Sequence, residues 1–176
     1  MPYTYTIEHD PEYCSYMTQE DIMPYGCDIR LRSRHFLSFI GNAELEALSE
    51  DPDFDTVWLD VYQHGNIVVS PQGTGPQCMF DTARGGAVLV VNLREFPEWK
   101  DMDAHSRYEQ VAACCRVYTA WANGDSICYT IYDEDGEVCG GCGGFWDFDE
   151  DYCRREAEAE IAYLEAHEVP RADGSD

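Results

Sequence analysis

Two cysteines stand at a spacing that zinc sites and redox sites both use. Cys139 and Cys142 form a CGGC motif, and a CxxC pair can bind a metal or exchange disulfides. A structural zinc site needs four ligands, and the sequence has no second such pair, so Cys128 and Cys153 could complete a site only through the fold. A redox pair normally opens a helix, whereas this one lies in a glycine-rich segment that reads as a strand. The spacing therefore favours neither chemistry.

A second group with chemical potential flanks a long loop in the middle of the chain: His64, Cys78 and Asp81. A thiol beside an imidazole can supply a nucleophile and a base if the fold brings the two together. The chain has nine cysteines and five histidines, so their occurrence in one region says little by itself. We therefore expect a protein that is not an enzyme and has no cofactor. The alternative is a metal- or thiol-dependent protein that uses these three residues or the Cys139/Cys142 pair.

Two acidic stretches partly match a calcium-binding loop. The stretch 131–142 has an isoleucine at the first ligand position and a cysteine at the last, and neither suits calcium. The stretch 147–158 has aspartates at positions 1, 3 and 5 and Glu158 at position 12, but Tyr152 stands where the loop needs glycine. We expect no bound metal and expect these acids to be solvated.

The excess of acids is the strongest signal in the sequence. The chain has 35 Asp and Glu against 11 Lys and Arg, for a net charge of −24. Such a charge would repel a phosphate backbone, which argues against direct binding of nucleic acid. Half of it lies in residues 133–176, which hold 15 acids and 3 arginines. On a helix, Glu156 and Glu160 would stand roughly 6 Å apart, near the spacing of successive phosphates.

A folded acidic surface of this type can occupy a basic nucleic-acid channel as a DNA mimic, and electrostatic attraction would speed the association. The alternative is that the charge only keeps the protein soluble. The expected contact residues are the acids of a hairpin turn, of a following cluster and of the C-terminal helix, with two exposed aromatic anchors. They are Asp133, Glu134, Asp135, Glu137, Trp146, Asp147, Phe148, Asp149, Glu150, Asp151, Glu156, Glu158 and Glu160.

Length and composition predict how these residues are carried. A chain of 176 residues with 44% hydrophobic residues can bury one sizeable core, so we expect a single domain over 1–176. It would have an irregular part with a short helix (1–55), a core (56–168) and a tail (169–176). There is no apparent signal peptide, and the longest apolar run, 87–91, is far below the roughly 20 residues of a membrane span. We expect a cytoplasmic protein whose free thiols are mostly buried.

The hydrophobic periodicity predicts an α+β fold, with helices packed on a mostly antiparallel sheet. Strands are expected at 57–63, 67–70, 87–92, 126–132 and 137–146, with a tight turn at 64–66. Residues 29–36 alternate and would place Arg30, Arg32 and Arg34 on one face of a possible strand. Helices are expected at 43–50, capped by Asn42, at 104–122 and at about 152–167.

Two of these helices should each bury one face. In the helix 104–122 the apolar positions recur at i, i+3, i+7 and i+10. In the C-terminal helix the corresponding positions also share one side, with most of the acids elsewhere. The residues expected to be buried are Tyr108, Val111, Cys115 and Tyr118 in the first helix, and Cys153, Ala157, Ile161 and Leu164 in the second.

Three stretches resemble a widespread family of small acidic proteins carried by phages and other mobile elements. They are VWLDVYQHGNIVVS, CMFDTARGGAVLVV and YTAWANGDSICYTIYDEDGEVCGGCGGFWDFDEDYC. The matching residues are Tyr62, His64, Cys78, Asp81, Gly124, Asp125, Tyr129, Gly136, Cys142, Gly144 and Phe145. Cys139 has no counterpart in the family pattern. After Cys78 the family has Pro-Trp-Asp-Ser where this chain has Met79, Phe80, Asp81 and Thr82.

The resemblance implies a mobile-element origin. Small, strongly acidic, folded proteins of mobile elements are often inhibitors of host defence nucleases. The hypothesis that follows is an anti-CRISPR or anti-restriction protein that binds a basic surface of such a nuclease and blocks access to DNA or RNA.

Overall fold

The computed structural model describes residues 3–33 and 38–167. These residues contain seven strands, all paired antiparallel in two sheets, and five α-helices. The predicted α+β fold is therefore confirmed. Arg34 and the predicted tail at 169–176 lie outside the described residues.

The elements are as follows in chain order. The strands are β1 (Thr4–His9), β2 (Cys27–Leu31), β3 (Phe54–His64), β4 (Asn66–Pro71), β5 (Thr82–Asn92), β6 (Ser126–Tyr132) and β7 (Val138–Trp146). The α-helices are α1 (Pro11–Tyr16), α2 (Gln19–Ile22), α3 (Asn42–Glu50), α4 (Ala104–Asn123) and α5 (Glu150–His167). Short 3₁₀ helices occupy Pro97–Asp101 and Asp147–Asp149.

The five predicted strands and the three longer helices are confirmed, with three differences in detail. β1 was not predicted, and the possible strand at 29–36 is the shorter β2. The N-cap of α3 is Gly41, and Asn42 is the first helical residue. The Asn42 side chain instead accepts a hydrogen bond from Arg32 at 3.1 Å. At the predicted tight turn, Gly65 has φ +84° between the paired residues His64 and Asn66.

The chain divides into two compact units, one of residues 1–15 and 124–176 and one of residues 16–123. We call them the terminal unit and the central unit. The terminal unit is built from both ends of the chain. Neither of its boundaries coincides with the division expected at residue 55.

The terminal unit is a three-stranded sheet of order β1-β6-β7 with α5 packed on one face. Ile131 in the middle strand is fully buried, and burying an isoleucine contributes about 1.5–3 kcal/mol. Cys153 and Ala157 of α5 are also fully buried against it. Ile161 and Leu164 are partly buried in the same cluster. The predicted inner face of this helix is confirmed.

The central unit is a four-stranded sheet of order β2-β5-β3-β4. The buried residues of α4 are part of the core on one face of this sheet, and α3 covers Val88 and Val90 with Leu45. In α4 the buried stripe is Val111, Cys114, Cys115, Tyr118 and Ala120. Tyr108 was predicted to be buried, but it precedes this stripe and is 45% exposed.

No helix within residues 3–33 and 38–167 has the length and apolar character needed to cross a membrane.

Candidate functional site

The acidic hairpin between β6 and β7 is organised by one of its own carboxylates. Asp133 accepts hydrogen bonds from the backbone N–H groups of Asp135 and Glu137 at 3.0 and 2.9 Å. Gly136 supplies the positive φ of +79° that the turn requires. Asp133 is half-buried, so it is a turn-forming residue more than a contact residue. Glu134, Asp135 and Glu137 are exposed.

The second group of acids lies where the 3₁₀ turn Asp147–Asp149 leads into α5. Asp147, Asp149, Glu150 and Asp151 are all exposed. Negative charge at a helix N-terminus is stabilising by about 0.3–1 kcal/mol, because the first backbone N–H groups lack partners within the helix. Glu150 is also ion-paired with Arg154 at 2.7 Å. These acids therefore have a local structural role as well as a surface position.

The three acids predicted to be exposed on α5 differ in their surroundings. Glu156 and Glu158 are exposed, and Glu158 accepts a hydrogen bond from the Tyr5 hydroxyl at 3.4 Å. Glu160 is half-buried and accepts a hydrogen bond from the Tyr129 hydroxyl at 2.6 Å. Burial and this carboxylate raise the pKa of Tyr129 above its ordinary value. The prediction that Glu160 is exposed was wrong, because β7 leaves space for its carboxylate at a glycine.

That glycine is Gly140, the second residue of the CGGC motif. A Cβ atom built at Gly140 would overlap the carboxylate of Glu160. A Cβ atom at the next residue, Gly141, would lie only 2.7 Å from the backbone oxygen of Tyr129. The two glycines between the cysteines are thus explained by close packing of β7 on β6 and α5.

The two cysteines of the motif are exposed on β7, which is an edge strand. The Cys139 thiol donates to the carbonyl of Ile131 at 3.5 Å. Desolvation and the carboxylates of Asp133 and Glu160 raise the pKa of the Cys139 thiol, which disfavours the reactive thiolate. The interpretation of this pair as core thiols was wrong. Five other cysteines are buried, as expected: Cys14, Cys27, Cys114, Cys115 and Cys153.

The two aromatic residues proposed as anchors are stacked on each other, with ring centroids 6.4 Å apart and planes at 15°. Phe148 is 43% exposed. Trp146 was also predicted to be exposed, but it is half-buried. The ring of Tyr13 packs edge-on against Trp146. Tyr152 is 44% exposed in the first turn of α5, and the sequence analysis did not select it. Phe148 and Tyr152 are therefore the accessible aromatics near the acids.

The fold does bring His64, Cys78 and Asp81 together in the central unit. The Cys78 thiol donates to Oδ2 of Asp81 at 3.3 Å, and Nδ1 of His64 lies 3.4 Å from the same oxygen. The carboxylate thus lies between the thiol and the imidazole. A nucleophilic cysteine instead uses the imidazole as its direct base. The His64 side chain is 74% exposed, so this group sits on the surface and not in a closed site.

A buried carboxylate that the sequence analysis missed lies close to this loop. Asp60 is 2% exposed and accepts hydrogen bonds from the N–H groups of Gly73 and Gly85 at 2.8 and 2.9 Å. Burial opposes ionisation of Asp60, but these hydrogen bonds outweigh it, and the pKa of Asp60 lies below its ordinary value. Its partners are backbone groups on both sides of the loop, which indicates that Asp60 anchors this loop.

Within the described part of the chain, no three His, Cys, Asp or Glu side chains are grouped so that they could hold a metal ion. The acids of the terminal unit therefore form an open surface. Comparison with protein-family models, with curated proteins and with solved structures gives no match to this chain. The resemblance to mobile-element proteins stays a prediction from sequence.

Proposed function

We propose that this protein is a phage or mobile-element inhibitor of a host defence nuclease, of the anti-CRISPR or anti-restriction kind. It would bind a basic nucleic-acid-binding surface of that enzyme in the host cytoplasm and block access to DNA or RNA. The observation that supports this best is a set of exposed acids concentrated in the terminal unit. We call this set the acidic surface: Glu134, Asp135, Glu137, Asp147, Asp149, Asp151, Glu156 and Glu158.

Several features fit the acidic surface to such a partner. The turn that carries Glu134, Asp135 and Glu137 is held by the Asp133 carboxylate, so these charges are ordered before binding. Preorganised groups lose little conformational freedom on association, which favours affinity. The charge would steer a basic partner and speed the encounter. Phe148 and Tyr152 add the apolar contact area that interface hot spots need.

Cleavage assays on a panel of purified host CRISPR effectors and restriction enzymes would test the proposal. We expect the protein to inhibit at least one enzyme, and to compete with its DNA or guide RNA. Changing Asp147, Asp149 and Asp151 together to lysine should weaken the complex by two to three orders of magnitude. This estimate assigns each reversed charge about 1–1.5 kcal/mol, or roughly tenfold.

The matched control reverses three exposed acids of the central unit, Glu46, Glu50 and Glu98, to lysine. Both variants change the net charge by the same amount, so a general charge effect would weaken both equally. Equal inhibition by the wild type and the terminal-unit variant would contradict the acidic surface as the binding site. No inhibition of any enzyme in the panel would contradict the proposed function.

The contact of His64, Cys78 and Asp81 favours a second candidate, a metal- or thiol-dependent protein. Asp81 contacts both other side chains at hydrogen-bonding distance. Elemental analysis of the purified protein with stoichiometric zinc would support this reading. A thiol-dependent activity that Cys78→Ser abolishes would support it as well, whereas inhibition of a nuclease by that variant would oppose it.

A further inference from the structure

The edges of the two sheets differ in how they are protected. In the central unit, the side-chain amide of Gln19 pairs with both the N–H and the C=O of Ile29 at 2.9 Å, on the free edge of β2. Asn123 pairs in the same way with Ile67 of β4, at 2.9 and 2.8 Å. Side-chain amides thus take the place of a neighbouring strand on both edges of this sheet. Such protection prevents unwanted strand pairing.

In the terminal unit, β7 is protected by irregularity. Its register with β6 shifts twice, between Ile127 and Tyr129 and between Ile131 and Tyr132. Gly144 has φ +86°, and acids flank the strand at both ends. Bulges and charges of this kind make an edge strand a poor template for pairing.

The edge strand β1 has none of these features. It pairs with β6 over six residues without a register shift, from Thr4 opposite Tyr132 to His9 opposite Ile127. The next residue, Asp10, donates its N–H to Ser126 at 2.8 Å, and backbone bonding alternates along an antiparallel strand. The outward-facing backbone groups are therefore those of Tyr5, Ile7 and His9. Among the described residues, no strand pairs with this outer edge.

We infer that β1 is a self-association edge, on which β1 of a second copy of this chain pairs antiparallel about a two-fold axis. Placing Ile7 opposite Ile7 of the second copy pairs the outward groups of three residues on each strand, for about six main-chain hydrogen bonds. The two sheets would then form one continuous six-stranded sheet. This association goes beyond the proposed function and does not depend on it.

The side chains of β1 fit this register and identify a second copy as the partner. Tyr5 would stand opposite His9, and Glu8 opposite Thr6, so no like charges face each other directly. Tyr5 and Ile7 are half-buried on the side covered by α5, and the register keeps them on one face of the combined sheet. A one-residue slip would move these apolar side chains to the opposite face.

The opposing force is the net charge of −24 on each copy. Repulsion between two such chains acts over several ångströms and is screened by salt. We therefore expect a weak dimer that becomes tighter as salt rises from about 50 to about 500 mM. This is the opposite of the salt response of a complex with a basic nuclease.

Sedimentation equilibrium of the full chain from micromolar to sub-millimolar concentration would measure the association. The expected result is a rise from the 20.1 kDa of the monomer towards twice that mass, with a lower dissociation constant at high salt. Amide hydrogen exchange by NMR would locate the interface. The amides of Tyr5, Ile7 and His9 should gain protection as concentration rises, while those of Thr4, Thr6 and Glu8 are already protected by β6.

Thr6 offers a charge test, because it is exposed and would face Glu8 of the second copy. Thr6→Glu should raise the dissociation constant about three- to tenfold, and Thr6→Lys should lower it by a similar factor, since the pair occurs twice in the dimer. Gln72→Glu and Gln72→Lys make the same charge changes at an exposed loop position. They should have smaller effects.

Three results would overturn the inference. One is a monomer at every concentration and salt level. Another is a dimer in which the alternate amides of β1 gain no protection. The third is an equal response to the substitutions at Thr6 and Gln72. Loss or retention of nuclease inhibition would not affect any of these measurements.

Discussion

Asp60 shows how much one side chain can stabilise the central unit. Its carboxylate is buried and holds two backbone N–H groups of the loop between β4 and β5. We expect Asp60→Asn to lower the free energy of unfolding by about 1.5–3 kcal/mol, because an amide cannot accept both bonds and loses the charge. Urea denaturation at neutral pH would measure this, with the exposed Asp101→Asn as the control.

The same carboxylate gives a pH dependence with a defined sign. The pKa of Asp60 is lower in the folded chain than in the unfolded chain. Its stabilisation is therefore complete above the unfolded pKa and is lost as pH falls through the folded pKa. The difference in stability between wild type and Asp60→Asn should shrink in acid, as followed by urea denaturation at decreasing pH. A difference that stays constant in acid would contradict the role of the ionised carboxylate.

At this scale the sequence predicted residue types better than their surroundings. The exposed acids of the hairpin and of the start of α5 followed from composition and turn signals. The burial of Glu160 could not be predicted, since it depends on Gly140 of another element lying opposite. Asp60 was missed because its partners are backbone groups 13 and 25 residues away.

The packing of α5 on β7 rests on a small contact that can be tested as a unit. Gly140→Ala would displace the Glu160 carboxylate and weaken its bond to the Tyr129 hydroxyl. We expect a loss of about 0.5–1.5 kcal/mol, the net value of such a hydrogen bond. In a Tyr129→Phe background the same substitution should cost less, because the bond is already absent. Additive losses in thermal or urea unfolding would contradict this coupling.

Among the elements, those with strong periodicity were predicted and the remaining ones were not. The strands at 57–63 and 87–92 are apolar enough to be recognised alone. β1 is short and half polar, and it becomes a strand only by pairing with β6, far along the chain. The exposure of Cys139 and Cys142 follows from the edge position of β7, which local sequence does not encode.

For the whole molecule, net charge makes salt the most informative variable. We expect the complex with a basic nuclease to weaken as salt rises over tens to hundreds of millimolar, since the Debye length shortens to about 8 Å at physiological ionic strength. Titration calorimetry or surface plasmon resonance across a salt series would measure this. A complex held mainly by Phe148 and Tyr152 would respond much less, and salt-independent affinity would contradict the electrostatic proposal.

The terminal unit also has a consequence for synthesis on the ribosome. Its first strand is made at the start of translation, but the backbone bond from Asp10 to Ser126 spans 116 residues. β1 must therefore wait as unpaired chain while the whole central unit is made, and closing so long a loop slows folding. The hairpin and helix that carry the acidic surface emerge last. A chain released early would contain the central unit without that surface, so only completed synthesis yields the charged face.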